Sequence, residues 1–175
     1  MNTREYKGVV QYQDGGYLEG HFVGGRTQGK GRKIYAQLDV YDGEFADGKP
    51  NGIGKYMFPN GSYYFGEWHD GRQNGSGIEE LVGEQHYEGT FKDGLKHGQG
   101  TCTWADGTKY EGEFVEGMQE GHGRYSWPNG RSYSGDWRDG KEEGAGVLVF
   151  PNGKTYIGQF ADGLQHGRGK LVWYE

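Results

Sequence analysis

Written in rows of 23 residues, the sequence aligns with itself without a gap, and no other feature restricts its fold as strongly. The rows begin at Leu18, Tyr41, Tyr64, Tyr87, Tyr110, Tyr133 and Tyr156. Glycine fills the third, eighth, twelfth and fourteenth columns of every row, as at Gly112, Gly117, Gly121 and Gly123. The fifth column is always Phe or Trp: Phe22, Phe45, Trp68, Phe91, Phe114, Trp137 and Phe160. Residues 1–17 fit as the second half of an earlier row, with Gly8 in column fourteen and Tyr12 in column eighteen. Such a period belongs to units that stack on their neighbours instead of folding around one centre. Residues 1–175 are therefore expected to form one array, a half repeat followed by seven full ones.

Each row reads as a β-hairpin. Columns one to five, as in Tyr110-Glu-Gly-Glu-Phe114, alternate ring and polar residues with the two-residue period of a strand that buries one face. Asp-Gly or Glu-Gly follows at columns seven and eight in every row but the first, which has Gly24-Gly25, and these pairs suit a turn with positive φ. A second strand is expected over columns fourteen to eighteen, as in Gly123-Arg-Tyr-Ser-Trp127. Pro-Asn-Gly at Pro59–Gly61, Pro128–Gly130 and Pro151–Gly153, or Ala-Asp-Gly at Ala105–Gly107, then leads into the next row. Nothing in the chain has helical periodicity.

Glycine contributes 37 of the 175 residues and hydrophobic residues only 32%, a composition that by itself would suggest disorder. The aromatic share of 15% argues the other way. Columns one, five and eighteen hold most of the rings, and the alternation puts them on one side of the sheet. Glycines of columns three and fourteen share that side and leave room for rings to lie across the backbone. The expected core is thus a linear stack of rings.

The pattern Y-E-G-E-F…D-G…H-G-x-G…W/F-x-N/D-G resembles the MORN repeat (membrane occupation and recognition nexus), and the resemblance spans essentially the whole chain. It implies an all-β fold: an elongated, twisted, single-layer antiparallel sheet of tandem hairpins without helices, whose aromatic side forms a shallow groove. Two rows depart from the pattern. Row three ends Gly77-Ile-Glu-Glu-Leu-Val-Gly-Glu-Gln-His86, with Glu79 in the inward column sixteen and no Asn-Gly turn. Row one places Lys33 in that same column.

Several kinds of chemistry are disfavoured. Successive rows advance roughly 9.6 Å, two strand spacings, so His97 and His166, three rows apart in column eleven, cannot share a metal. The other histidines fall in four different columns. The glycines precede no helix, as a phosphate-binding loop would require. Cys102 sits in column sixteen as a small packed residue and has no partner for a disulfide. No catalytic residue, cofactor or metal is expected. The net charge of −6 works against nucleic acid, and the absence of a cluster of basic residues works against direct membrane binding. No apolar run approaches the roughly 18 residues of a membrane-spanning helix, and MNTREYKGVV has no signal-peptide core, which favours the cytoplasm. An acidic stripe on the polar side (Glu19, Asp42, Glu44, Glu67, Glu88, Glu111, Glu113, Asp136) reads as a solvated face or as a dock for a basic partner. Basic residues gather instead near the first turns, at Arg26, Lys49, Arg72, Lys92, Lys96, Arg138 and Lys141.

The expected function is a non-enzymatic interaction scaffold that receives an extended or helical segment of another protein along the aromatic groove. Tyr87, Phe91, Trp104, Tyr110, Phe114, Trp127, Tyr133 and Trp137 are the expected contact residues. The resemblance implies cytoskeletal or membrane-adjacent settings. Two alternatives are binding of anionic phospholipid such as phosphoinositide, and service as the regulatory region of a larger enzyme. Because the last row stops just after its second strand, a homodimer through the C-terminal repeats is also expected, with Tyr156, Phe160, Trp173 and Tyr174 at the contact.

Overall fold

The computed structural model describes residues 4–173. Among these residues there are fifteen strands and no helix. They are β1 (Glu5–Gln11), β2 (Tyr17–Val23), β3 (Arg26–Ile34), β4 (Val40–Ala46) and β5 (Lys49–Met57). Next come β6 (Tyr63–His69), β7 (Arg72–Leu81), β8 (Gln85–Lys92), β9 (Leu95–Trp104) and β10 (Lys109–Val115). The chain closes with β11 (Met118–Ser126), β12 (Ser132–Arg138), β13 (Lys141–Val149), β14 (Thr155–Ala161) and β15 (Leu164–Val172). Strand order in the open antiparallel sheet is the order of the chain. The contacts of the described residues gather into two units, residues 4–82 with 91–94, and residues 83–90 with 95–173.

The second strand of each row is longer than columns fourteen to eighteen. β11, for example, starts at Met118 in column nine. The extension escapes a period-two reading because the strand bulges. Gly112 pairs with Gly123, but Glu113 pairs with Glu120, which leaves Gly121 and His122 without opposite residues on β10. Gly121 takes φ of 63°, a conformation that side chains resist, so column twelve is glycine for its backbone angle. The same shift recurs between β12 and β13 and between β14 and β15. It explains why column ten, across the bulge, lies beside the rings: Gln119 faces Phe114 and Glu142 faces Trp137.

The bulge also fixes the column-one tyrosine. The Tyr110 ring lies over Gly112 and Gly123, and its hydroxyl donates to the Glu113 carbonyl at 3.0 Å. A Cβ on Gly112 would stand 2.6 Å from that hydroxyl. Tyr41, Tyr64, Tyr87, Tyr133 and Tyr156 make the equivalent hydrogen bond three residues ahead, at 2.8 to 3.2 Å. Column-four side chains cap the bulge from the opposite face. Glu67 accepts from the Ser76 amide at 2.9 Å, Asp136 from the Ala145 amide at 3.2 Å and Gln159 from the Arg168 amide at 3.3 Å. Two members of the acidic stripe, Glu67 and Asp136, are therefore structural: an acceptor is needed there because the bulge strands an N–H.

The core is an edge-to-face zigzag of rings. In the first unit Tyr41 meets Phe45 and Trp68 at 5.0 and 5.2 Å, and Tyr64 meets Trp68 and Phe91 at 5.2 and 4.9 Å. In the second, Tyr110 meets Phe114 and Trp137 at 5.1 and 5.2 Å, and Tyr133 meets Trp137 and Phe160 at 5.3 and 4.8 Å. Tyr41, Tyr64, Tyr110 and Tyr133 thus each join their own row to the next, at about 0.5–1.5 kcal/mol per pair beyond area burial. The two departures from the pattern are absorbed locally. Lys33 lies over the rings of Tyr12 and Tyr35, at 5.1 and 4.5 Å, and Glu79 is half-buried opposite Tyr64.

Candidate protein-binding site

The eight rings expected to meet a partner divide sharply. Tyr87, Tyr110 and Tyr133 are wholly buried, and Phe91, Phe114 and Trp137 nearly so. Flanking rings close over them because every tyrosine touches column-five rings edge-on, and burial pushes the Tyr110 and Tyr133 phenols well above their ordinary range. Trp104 and Trp127 are different. Both stand at the second-turn end of the second strand and are half-exposed.

In the second unit these two indoles flank Tyr125. Trp104 stacks on Tyr125 at 5.5 Å and 28°, Tyr125 meets Trp127 at 4.5 Å, and Tyr125 rests on buried Trp137 at 5.9 Å. Trp137 is fixed from below, its Nε1 donating to the Gly123 carbonyl at 3.2 Å. The Arg131 guanidinium lies over Trp127, with Cζ 4.2 Å from the ring centre. The site is therefore a ledge of half-exposed rings mounted on a fixed core. Column sixteen supplies its middle ring, and Tyr125 was not among the expected contact residues. Its parity with columns fourteen and eighteen was the available signal. Arg131, in column twenty-two, has the same parity.

The first unit builds a related but not identical ledge. Tyr56 meets Tyr35, Phe58 and Trp68 at 5.6, 5.0 and 6.3 Å. A shallow hollow beside it is lined by Tyr56, Phe58, Trp68, Arg72 and Gln73. Where the second unit has a cation, this one has a carboxylate: the Tyr56 hydroxyl donates to Asp39 at 2.6 Å, and Asp39 is buried. Burial, and then that hydrogen bond to Asp39, push the Tyr56 phenol up.

Of the residues expected at a dimer contact, Tyr156 and Phe160 are taken up by the core. Trp173 is 57% exposed, and Tyr174 lies outside the described residues. Basic residues of the first-turn edge pair with the aspartate of the next turn: Arg26 with Asp47 at 3.9 Å, Lys49 with Asp70 at 2.5 Å and Lys141 with Asp162 at 3.0 Å. Among the described residues no group of three or more His, Cys, Asp or Glu side chains is arranged to hold a metal ion.

Among curated proteins none matches the sequence. Among solved structures, the chain is similar to the SAS-4 (dCPAP) TCP domain of Drosophila melanogaster, solved in complex with a proline-rich motif of Ana2 (dSTIL), at 13% identity and a TM-score of 0.49. That similarity covers 98% of this chain and 90% of the other. The wild-type TCP10 domain of Danio rerio CPAP is similar at 12% identity over 94% of this chain and 96% of that one, with a TM-score of 0.24. The MORN repeat model matches residues 19–40, 41–63, 64–82, 87–109, 110–130, 133–155 and 156–175, breaking at 83–86, where row three departs from the pattern. With seven such repeats, the chain belongs to the MORN repeat family.

Proposed function

We propose that this chain is a non-enzymatic protein-interaction scaffold whose ring-bearing side receives an extended segment of another protein along the second-turn ledge. The supporting observation is the Trp104–Tyr125–Trp127 cluster. Large rings left half-exposed on a core that immobilises them are the kind of anchor that dominates binding energy at protein interfaces. Mounting them on strands means little side-chain freedom is lost when a ligand arrives. A cytoskeletal or membrane-adjacent setting is part of this reading. Anionic lipid is the weaker alternative, because cations of the first-turn edge, Arg26, Lys49 and Lys141, are already matched by carboxylates.

Affinity capture from the cells that express the protein tests the proposal, comparing the wild type with the Trp104→Ala/Trp127→Ala variant and with the polar-face variant Arg124→Ala. Capture of a partner that is lost with the tryptophans and kept with Arg124→Ala is the expected result. The same partner retained by the tryptophan variant would overturn the proposal.

A further inference from the structure

Column twenty-two points to the ring side, as buried Thr108 and Asp39 show. In the second unit it carries two cations, and both lie over indoles: Arg131 over Trp127 at 4.2 Å and Lys154 over Trp173 at 5.2 Å. Some other cations of this unit have carboxylate partners, as Lys109 has Glu111, Arg138 has Glu143 and Lys141 has Asp162. Arg131 and Lys154 have none among the described residues. The Arg131 Nε is in addition buried without an acceptor. A guanidinium held flat on a ring with a masked, unbonded N–H gains when an acceptor arrives and the fork turns toward it. In a chain of net charge −6, two unmatched cations on the ring ledge are complementary to an anionic ligand.

Spacing identifies the conformation of that ligand. Arg131 and Lys154 occupy the same column of successive rows, so they recur at the array period of roughly 9.6 Å, two strand spacings. Trp104, Trp127 and Phe150 in column eighteen recur at the same period. A polyproline II segment rises about 9.3 Å in three residues and returns to the same side. A β-strand three residues on presents the opposite side, and an α-helix three residues on has risen only about 4.5 Å. Two turns of α-helix, seven residues, return to the same side only after about 10.5 Å, so of the three polyproline II matches the row period most closely.

We propose that the ring ledge of the second unit binds a polyproline II segment of a partner protein carrying an acidic residue at every third position, with successive carboxylates received by Arg131 and Lys154. The inference deepens the scaffold reading and rests on it. Proline rings cover the indoles, and the carboxylates supply the acceptors that these two cations lack.

Fluorescence anisotropy on the full chain tests this with three labelled twelve-residue probes: (Pro-Pro-Glu)4, (Pro-Pro-Gln)4 and a shuffled sequence of the first composition with irregular glutamate spacing. The expected result is (Pro-Pro-Glu)4 binding at least tenfold tighter than either other probe. Arg131→Gln/Lys154→Gln brings that preference below threefold and leaves (Pro-Pro-Gln)4 binding unchanged, with an unaltered thermal midpoint. Arg131→Lys, which keeps the charge but not the fork, falls in between. Equal affinity for the glutamate and glutamine probes, equal affinity for regular and shuffled spacing, or no binding of any probe would overturn the proposal. The scaffold reading is decided separately, by whether the captured partner depends on Trp104 and Trp127.

Discussion

Every hairpin has a first-turn end and a second-turn end, and the two differ in how much they vary between rows. At the first turns the Asp-Gly or Glu-Gly pair takes positive φ at both positions, from Asp47 and Gly48 to Asp162 and Gly163. The turn glycine donates its N–H to the column-ten carbonyl of the row before: Gly48 to Thr27, Gly71 to Pro50, Gly117 to Lys96, Gly140 to Gln119 and Gly163 to Glu142. Column-seven carboxylates add matched ion pairs there. That edge repeats the same turn and the same backbone bond from row to row, and its job is to join repeats. The second-turn ends share a backbone turn, with Gly61 donating to Phe58 and Gly130 to Trp127, and an Asx-type bond, as where Asn60, Asp106, Asn129 and Asn152 accept from the amide two residues on. Their side chains change from row to row: Asp39, Ser62, Thr108, Arg131, Lys154. Uniformity builds the array, and variation confined to one edge leaves room for recognition.

The largest expected effect on this contrast is global and alkaline. Tyr41, Tyr64, Tyr110 and Tyr133 are raised by desolvation first and nearby carboxylates second. Below a pH of about 10, the ordinary phenol value, folded and unfolded states are both protonated and the contribution is complete. Above it the unfolded chain loses protons first, so stability falls as pH rises. Denaturant midpoints followed by circular dichroism should be flat from pH 7 to about 9.5 and drop steeply beyond. Single substitutions come next. Tyr110→Ala should cost about 4 kcal/mol, as removal of a large core ring does. Trp127→Ala, on the half-exposed ledge, should cost about 1 kcal/mol while abolishing partner capture. Equal costs at the two positions would erase the distinction between core rings and ledge rings.

Smaller effects test the backbone. Gly121→Ala forces a side chain into the bulge angle and should cost about 1–2 kcal/mol in urea unfolding. Leu38 stands at a second turn with φ of 71°, where Gly61, Gly107, Gly130 and Gly153 stand in other rows, and it is 69% exposed. Leu38→Gly should therefore stabilise the chain by about 1 kcal/mol. At the bottom of the scale, Lys141→Gln removes an exposed ion pair with Asp162 and should leave the thermal midpoint unmoved.

Much of this architecture was legible in the residues. Column periodicity marked the hairpins, the ring side and the positive-φ turns, and glycines of columns three and fourteen do make way for tyrosine rings. What could not be read was the bulge. Columns twelve and thirteen have no opposite residues on the preceding strand, so parity counted through them fails, and β11 begins at Met118 instead of Gly123. The same slip hid column ten beside the rings and disguised Glu67 and Asp136 as surface charge when their carboxylates cap stranded amides. Nor does periodicity distinguish a buried ring from a half-exposed one: Tyr110 and Trp127 both alternate inward, and only the neighbouring rings around Tyr110 close it off. Arg131 went unnoticed because a turn residue is ordinarily read as solvent-facing.

The most direct test of the ledge as the recognition surface is site-specific photo-crosslinking. A benzophenone amino acid replaces Trp127 on the ledge in one variant and Arg124 on the opposite face in another, three residues apart on the same hairpin arm. Irradiated in the cells that express the protein, the Trp127 variant should give a discrete partner adduct that Trp104→Ala in the same chain abolishes, and the Arg124 variant should give none. A partner adduct of the same mass formed from position 124 and not from position 127 would contradict the account.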